Sequence, residues 1–220
     1  MYLSRVELDL ERRSTMIMLT APQKMHGTIE KCFGMERRRR LWRLDKLGGN
    51  LYLLLLSEEK PDLTCVVEQF GTGRDPETKD YEPLLGRIQS GSLWRFRLTA
   101  NPTKSCIKDE TEGAKKIPLK RGKVRACSTV KEQMKWLQER GEKHGFLLAE
   151  DGFNVVHSQW IRFQKGESSR TVTLMSVTYE GYLQVTDEEK FRRLLTEGIG
   201  RGKAYGLGLM TIMRAENVHG

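Results

Sequence analysis

Two adjacent glycines set the strongest constraint on how this chain folds. Arg40–Leu44 and Leu51–Leu56 are apolar-rich runs joined across Leu47-Gly-Gly-Asn50. Paired glycines reach positive φ without steric cost, which is what the tight turn of a β-hairpin needs. The two runs are therefore expected as antiparallel neighbours. Ahead of them, residues 2–10 put Val6, Leu8 and Leu10 on one face at a period of two, as a strand does. Between strand and hairpin, Met25, Ile29, Cys32 and Phe33 recur at helical spacing. Thr20-Ala-Pro-Gln23 offers a capping box with an early-helix proline, and Gly34 a stop. Residues 62–70 fit a short helix or a strand, and Leu93–Leu98 alternates as a strand expected to close this half. The order β-α-β-β-(α)-β is the ferredoxin-like split βαβ pattern.

The second half follows the same plan. Thr129-Val-Lys-Glu132 is a capping box opening a helix with Val130, Met134 and Leu137 on one face. Phe146–Leu148 and Phe153–Phe163 are strand candidates, and Thr171–Val185 reads as one long bent strand or a hairpin broken at Glu180-Gly181. Thr186-Asp-Glu-Glu189 opens another helix, with Phe191, Leu194 and Leu195 inside, and Gly206–Met213 gives a last strand. Asn101–Arg125 is polar and basic, has two prolines and no apolar period, and is expected as a surface linker. The fold class is thus α+β: two tandem ferredoxin-like (RRM-like, βαββαβ) domains, residues 1–100 and 101–220, which suits 220 residues.

Charge narrows the partner. The chain carries 38 Lys+Arg against 29 Asp+Glu, a formal net charge of +9, which favours a polyanion: nucleic acid first, an anionic membrane surface second. The longest unbroken apolar run, Leu51–Leu56, is far short of the ~18–20 residues of a spanning helix. Arg5, Glu7, Asp9 and Glu11 stand where a secretory signal would need an apolar stretch. Cys32, Cys65, Cys106 and Cys127 are dispersed, with no paired C-x-x-C spacing, so neither a zinc site nor a disulfide framework is expected. Reduced thiols in a cytoplasmic protein with no membrane partner are the expectation.

The chemistry-bearing residues are few. His26, His144, His157 and His219 form no metal-ligand spacing with one another or with Cys or carboxylates, so no metal and no cofactor is expected. His26 lies roughly 75° from the centre of the Met25/Ile29/Cys32/Phe33 stripe, at the border of core and solvent. A histidine there is either a boundary residue of the core or a proton-transfer group with one ring nitrogen accessible. Residues 198–208 hold five glycines in eleven, with Arg201 and Lys203 among them. Such a loop is either a flexible turn or a phosphate cradle. It follows a helix and precedes a strand, the reverse of a dinucleotide-binding loop. Basic clusters recur at Arg37–Arg40 with Trp42 and Arg43, at Lys115, Lys116, Lys120, Arg121, Lys123 and Arg125, and at Arg162, Lys165 and Arg170 around the turn Lys165-Gly-Glu-Ser-Ser169. Any one of them fits a solvated face; together with the loop they favour RNA or DNA. Two RRM-like halves favour RNA. No aromatic string of the kind that stacks bases on an RRM sheet is present, so a charged groove reading structured RNA is expected.

Four stretches together resemble the CasE family, the repeat-RNA-processing endoribonuclease of type I-E CRISPR (Cascade) systems. They are Met1-Tyr-Leu-Ser-Arg-Val-Glu-Leu8, Pro22-Gln-Lys-Met-His26, Leu93-Trp-Arg-Phe-Arg-Leu-Thr-Ala-Asn-Pro-Thr-Lys104 and Glu197-Gly-Ile-Gly-Arg-Gly-Lys-Ala-Tyr-Gly-Leu-Gly-Leu-Met210. The match runs from residue 1 to about 214. The resemblance implies metal-independent cleavage at the base of a CRISPR repeat RNA stem-loop, products with a 2′,3′-cyclic phosphate and a 5′-hydroxyl, and retention of the cut guide RNA among the other Cascade subunits. It further implies that His26 is the catalytic acid or base and that Lys31 contacts the phosphate region. Arg162 and Lys165 would belong to a basic hairpin entering the RNA groove, and Lys203 to a glycine-rich loop beside the RNA. Three residues before the histidine, relatives commonly carry a tyrosine that shares in proton transfer; here Gln23 stands, whose amide exchanges no proton at neutral pH but can hydrogen-bond or help cap the helix. Gly27 occupies a position where a basic residue is frequent.

Three readings follow: the repeat endoribonuclease, a non-cleaving structured-RNA-binding subunit that protects or delivers guide RNA, and an unrelated phosphate-ligand protein using residues 198–208. The first two share a physical expectation. Neutralising RNA phosphates releases counterions, so affinity for a repeat stem should fall by about tenfold or more from roughly 50 to 200 mM salt. A flat profile in filter-binding titrations would remove the basic-face argument.

Overall fold

The computed structural model describes residues 1–34, 38, 40–106, 123–164 and 171–215. Its first sheet is built from β1 (Tyr2–Leu8), β2 (Leu41–Leu47), β3 (Asn50–Ser57) and β4 (Glu77–Asp80) in the order β2-β3-β1-β4, every neighbour antiparallel. The connections are α1 (Arg13–Thr20) and α2 (Pro22–Lys31) before β2, and α3 (Thr64–Phe70) before β4. A short helix, α4 (Glu82–Leu85), leads to the second sheet. That sheet runs β11 (Met210–Arg214), β5 (Leu93–Ala100), β10 (Thr171–Val185), with β8 (Phe146–Leu147) and β9 (Phe153–Gln164) both pairing β10. Helix α5 (Val130–Lys143) precedes β8 and α6 (Glu188–Glu197) precedes β11. Each half is a βαββαβ unit, as the sequence pattern implies.

The hairpin forms as the glycines dictate. Leu47 pairs with Asn50 across Gly48 and Gly49, whose φ values are +58° and +89°. The continuous apolar run of β3 has a structural cause, because both faces of the strand are covered. Leu51, Leu53 and Leu55 face a core with Met18, Met25 and Ile29 from the helices, whereas Leu56 joins the core of the second unit with Leu41 of β2. The first sheet thus packs helices on one side and the second unit on the other.

Several sequence expectations need correction. Leu93–Leu98 does not close the first half: β5 pairs with β10 and β11, so sheet membership changes between Asp80 and Leu93 rather than at residue 100. The strand that closes the first sheet, β4, has the sequence Glu-Thr-Lys-Asp and is mostly exposed, so it carries no apolar alternation to read. Helix α1 was not expected. It ends at Thr20, whose hydroxyl donates to the Ile17 carbonyl instead of capping, and α2 begins at Pro22, which lacks the N–H to continue α1. Residues 62–70 resolve as α3. The 171–185 segment is one strand, and the helix after it is capped by Asp187, which accepts from the Lys190 N–H. Within the 101–125 linker, β6 (Thr103–Cys106) pairs with β7 (Lys123–Ala126); Lys115, Lys116, Lys120 and Arg121 lie outside the described residues. So do Arg37, Arg39, His219 and the 165–170 turn with Lys165 and Arg170. The Thr129–Glu132 capping box forms in both directions, with hydrogen bonds of 3.3 and 3.4 Å.

One basic residue plays a structural part. Arg43, on β2, is 1% exposed, and all five of its N–H donors are used. They reach both Asp45 oxygens (2.9 and 2.6 Å), the Arg97 and Leu209 carbonyls (each 2.8 Å) and Thr211 Oγ1 (2.7 Å). Burial pulls the guanidinium below its ordinary pKa, and the bond to Asp45 opposes that shift. Arg97 also donates to Asp45 and pairs with Glu180, extending the network from β2 to β10. Removing the cation leaves Asp45 buried, with only the partly exposed Arg97 as partner, and two carbonyls without their donor. Arg43→Ala is expected to lower stability by about 3–5 kcal/mol in urea denaturation.

Candidate nucleic-acid interface

Three elements meet around the start of α2. Gln23 Nε2 donates to the Gln164 carbonyl at 2.9 Å, tying the first turn of the helix to the end of β9. One residue back on β9, the Phe163 ring lies 4.8 Å from that of Tyr205. Tyr205 ends a 3-10 turn, Lys203–Tyr205, that packs against both α2 and β2. The glycine-rich segment around this turn is closed by backbone bonds from Ile199 N–H to the Gly208 carbonyl (2.9 Å) and from Gly208 N–H to the Thr99 carbonyl (2.7 Å). Gly206 has φ +79°, and a Cβ there would stand 2.7 Å from the Trp42 ring. Only glycine lets the loop close on β2 at this point.

On this frame His26 lies on α2 beside a buried stripe of Met25, Thr28, Ile29 and Cys32. Its side chain is 41% exposed, so one edge of the ring reaches solvent. Nδ1 faces Glu30 Oε1 at 3.9 Å, and Glu30 Oε2 accepts from Arg40 Nη1 at 2.7 Å. Lys31 is exposed in the last turn of the same helix, ~140° round from His26. Arg162 is exposed on β9, two residues before the strand end that Gln23 holds. Lys203 sits in the turn against α2. The fold therefore gathers the elements bearing His26, Arg162 and Lys203. Lys165, which follows β9 directly, lies outside the described residues.

His144, at the end of α5, has its pKa lowered by burial first and then by Arg140, Lys203 and Lys143, with Glu197 opposing. Beside Arg162 a cleft of about 720 Å³ opens between the two units, its walls including Lys46, Arg97, His157, Trp160 and Tyr205. Among the described residues no group of three His, Cys, Asp or Glu side chains is placed to hold a metal ion. No helix among them is long and apolar enough to cross a membrane.

Some of this was not readable in advance. Arg40 and Arg43 fell in a cluster weighed as a polyanion-binding face, yet Arg40 is 4% exposed with its guanidinium 4.0 Å over the Phe33 ring, and Trp42 is buried. Glu30 was missed, although its place four residues after His26 is a helix-neighbour signal. Gln23 is not a cap; its amide is spent on Gln164, and its buried Oε1 has no partner among the described residues. The dispersed Cys32 and Cys65 are brought together, their sulfurs 3.4 Å apart as free thiols.

A family model described as CRISPR associated protein matches residues 1–214. The chain belongs to this family. The CRISPR-associated endoribonuclease Cse3 of Thermus thermophilus is 29% identical over 96% of this chain and 99% of its own length. The CRISPR system Cascade subunit CasE of Escherichia coli is 27% identical over 96% and 98%. The structure of Cse3 bound to a 19-nucleotide RNA superposes with a TM-score of 0.78 at 28% identity, covering 97% of this chain and all of that one. The expected membership of the CasE family is thereby met, and the shared fold extends over both units.

Gln23 gives this assembly a direct test. With its side chain removed, the β9 end loses its hold on α2 at the cost of one hydrogen bond, about 0.5–1.5 kcal/mol. Gln23→Ala is expected to weaken binding of a repeat hairpin by roughly three- to tenfold while the thermal midpoint changes little.

Proposed function

We propose that this protein is the CRISPR repeat endoribonuclease of its system. It cuts precursor RNA at the base of each repeat hairpin, keeps the product bound and works within Cascade. The observation that carries this reading is His26, half-exposed on a helix packed against the Lys203 turn and tied to the end of β9. The names of its relatives, an endoribonuclease and a Cascade subunit, support it.

The chemistry matches the residues. A ribose 2′-oxygen attacks the adjacent phosphorus, the bond to the 5′-oxygen breaks, and the products are a 2′,3′-cyclic phosphate and a 5′-hydroxyl. One proton leaves the 2′-hydroxyl and one is delivered to the departing 5′-oxygen, and no metal is required for either transfer. His26 exchanges protons with the reacting oxygens. Lys203 offsets the charge that develops on the phosphoryl oxygens, and Lys31 contacts the RNA backbone farther round the helix. Arg162 and Lys165 grip the stem as phosphate contacts.

A second reading has its own observation. Gln23, where the family resemblance implies a tyrosine, already donates through its amide Nε2 to the Gln164 carbonyl. An RNA-holding subunit without cleavage would tolerate that residue. Cleavage of a labelled repeat hairpin in EDTA separates the two. The wild-type protein is expected to cut and leave a cyclic phosphate, and His26→Ala to lose ~10²-fold or more in rate while still binding. Tight binding without any cut by the wild type would select the RNA-holding reading.

A further inference from the structure

We infer that Glu30, anchored by Arg40, is a positioning residue for His26: its carboxylate takes the Nδ1–H and leaves Nε2 to the RNA. The inference rests on the proposed role of His26. A glutamate four residues after a histidine is ordinary helix-surface chemistry; its anchor sets this one apart. Arg40 has only 4% of its side chain exposed, and its guanidinium lies 4.0 Å over the Phe33 ring. From there Nη1 donates to Glu30 Oε2 at 2.7 Å. The carboxylate is thereby held by a cation that cannot wander, and its other oxygen, Oε1, is turned to His26 Nδ1 at 3.9 Å. Closing that gap to a hydrogen bond takes a small side-chain rotation, as histidine sites do when substrate arrives.

Two physical arguments give the arrangement a purpose. A lone carboxylate beside a site for RNA phosphates would repel the substrate; paired with Arg40, Glu30 adds no net charge there. And an imidazole exchanges protons usefully at one nitrogen only when the other is assigned, which is what a carboxylate at Nδ1 does. Gln23 is engaged elsewhere, its Nε2 donating to the Gln164 carbonyl, whereas it is Glu30 that faces Nδ1. The ordering group for His26 in this chain is thus the residue four positions after it.

The isosteric variant Glu30→Gln is the informative one. Arg40 still donates to the remaining oxygen, so the new NH₂ group turns toward Nδ1, which must then accept, and the ring proton moves to Nε2. The test combines single-turnover cleavage of a labelled repeat hairpin, its dissociation constant, and ¹⁵N spectra of labelled histidine with His26 assigned by His26→Ala. The expected result is a Nδ1–H tautomer in the wild type and a shift toward Nε2–H in Glu30→Gln. The cleavage rate should fall at least about tenfold with no loss of RNA affinity, since Glu30→Gln removes a negative charge beside the phosphates. Wild-type His26 in the Nε2–H form overturns the inference without any variant. So does a Glu30→Gln protein that cleaves at the normal rate while His26→Ala is inactive, an outcome that leaves the His26 reading intact. A slowed Glu30→Gln protein with an unmoved tautomer assigns Glu30 a structural role instead and also overturns it. If His26→Ala itself cleaves normally, the proposed function loses its catalytic residue and this inference falls with it.

Discussion

The arrangement of the two units depends on one buried guanidinium. Arg43 lies on the face of the first sheet that also carries Leu41, Leu54 and Leu56, and this face meets the second unit. Apolar contact alone would let two sheets slide across each other. Arg43 removes that freedom, because its five donors have five fixed partner atoms on β2, β5, β11 and the residue before β11. A buried cation is costly unless every donor is met and its charge is balanced, so only one relative position of the units satisfies it. The same contact covers the sheet face on which a free-standing RRM would stack bases. That agrees with the absence of an aromatic string from these strands.

The proposed RNA-facing site is a consequence of this docking. β2 carries Arg43 toward the second sheet and, on the neighbouring residue, offers the Trp42 ring to Gly206. The glycine-rich segment therefore closes against the first unit although it belongs to the second. Its 3-10 turn then lies against α2, and the tilted Phe163–Tyr205 pair brings the end of β9 to the same place. No single element holds the site. A helix from one unit, a strand end and a turn from the other share it, so precision at His26 follows from the rigidity of the interface.

Legibility varied with the range of the interaction. The hairpin at Gly48-Gly49, the capping box at Thr129 and the helical stripe of α2 all arise within a few residues, and all are present as read. β4 was invisible because an exposed edge strand is held by backbone pairing to β1 and needs no apolar pattern. β5 was recognised as a strand but given to the wrong sheet, since Trp94, Phe96 and Leu98 would bury equally well under either set of helices. The basic cluster at Arg40–Arg43 was misjudged for a related reason: a charge looks the same in sequence whether it meets water, RNA or Asp45.

The sequence by itself determined the local periods, the turn and cap chemistry, the basic balance and, through four motifs, the family. These depend on φ/ψ preference, on side-chain spacing and on net charge, all properties of neighbouring residues. The tertiary structure alone decided which strand joined which sheet and which arginines left the solvent. It also decided that Gln23 binds β9 instead of capping a helix, and that Glu30 and Arg40 gather at His26. Those outcomes turn on partners up to 168 positions apart, as between Arg43 and Thr211. A backbone carbonyl or buried carboxylate selects such a partner only once the two sheets have met.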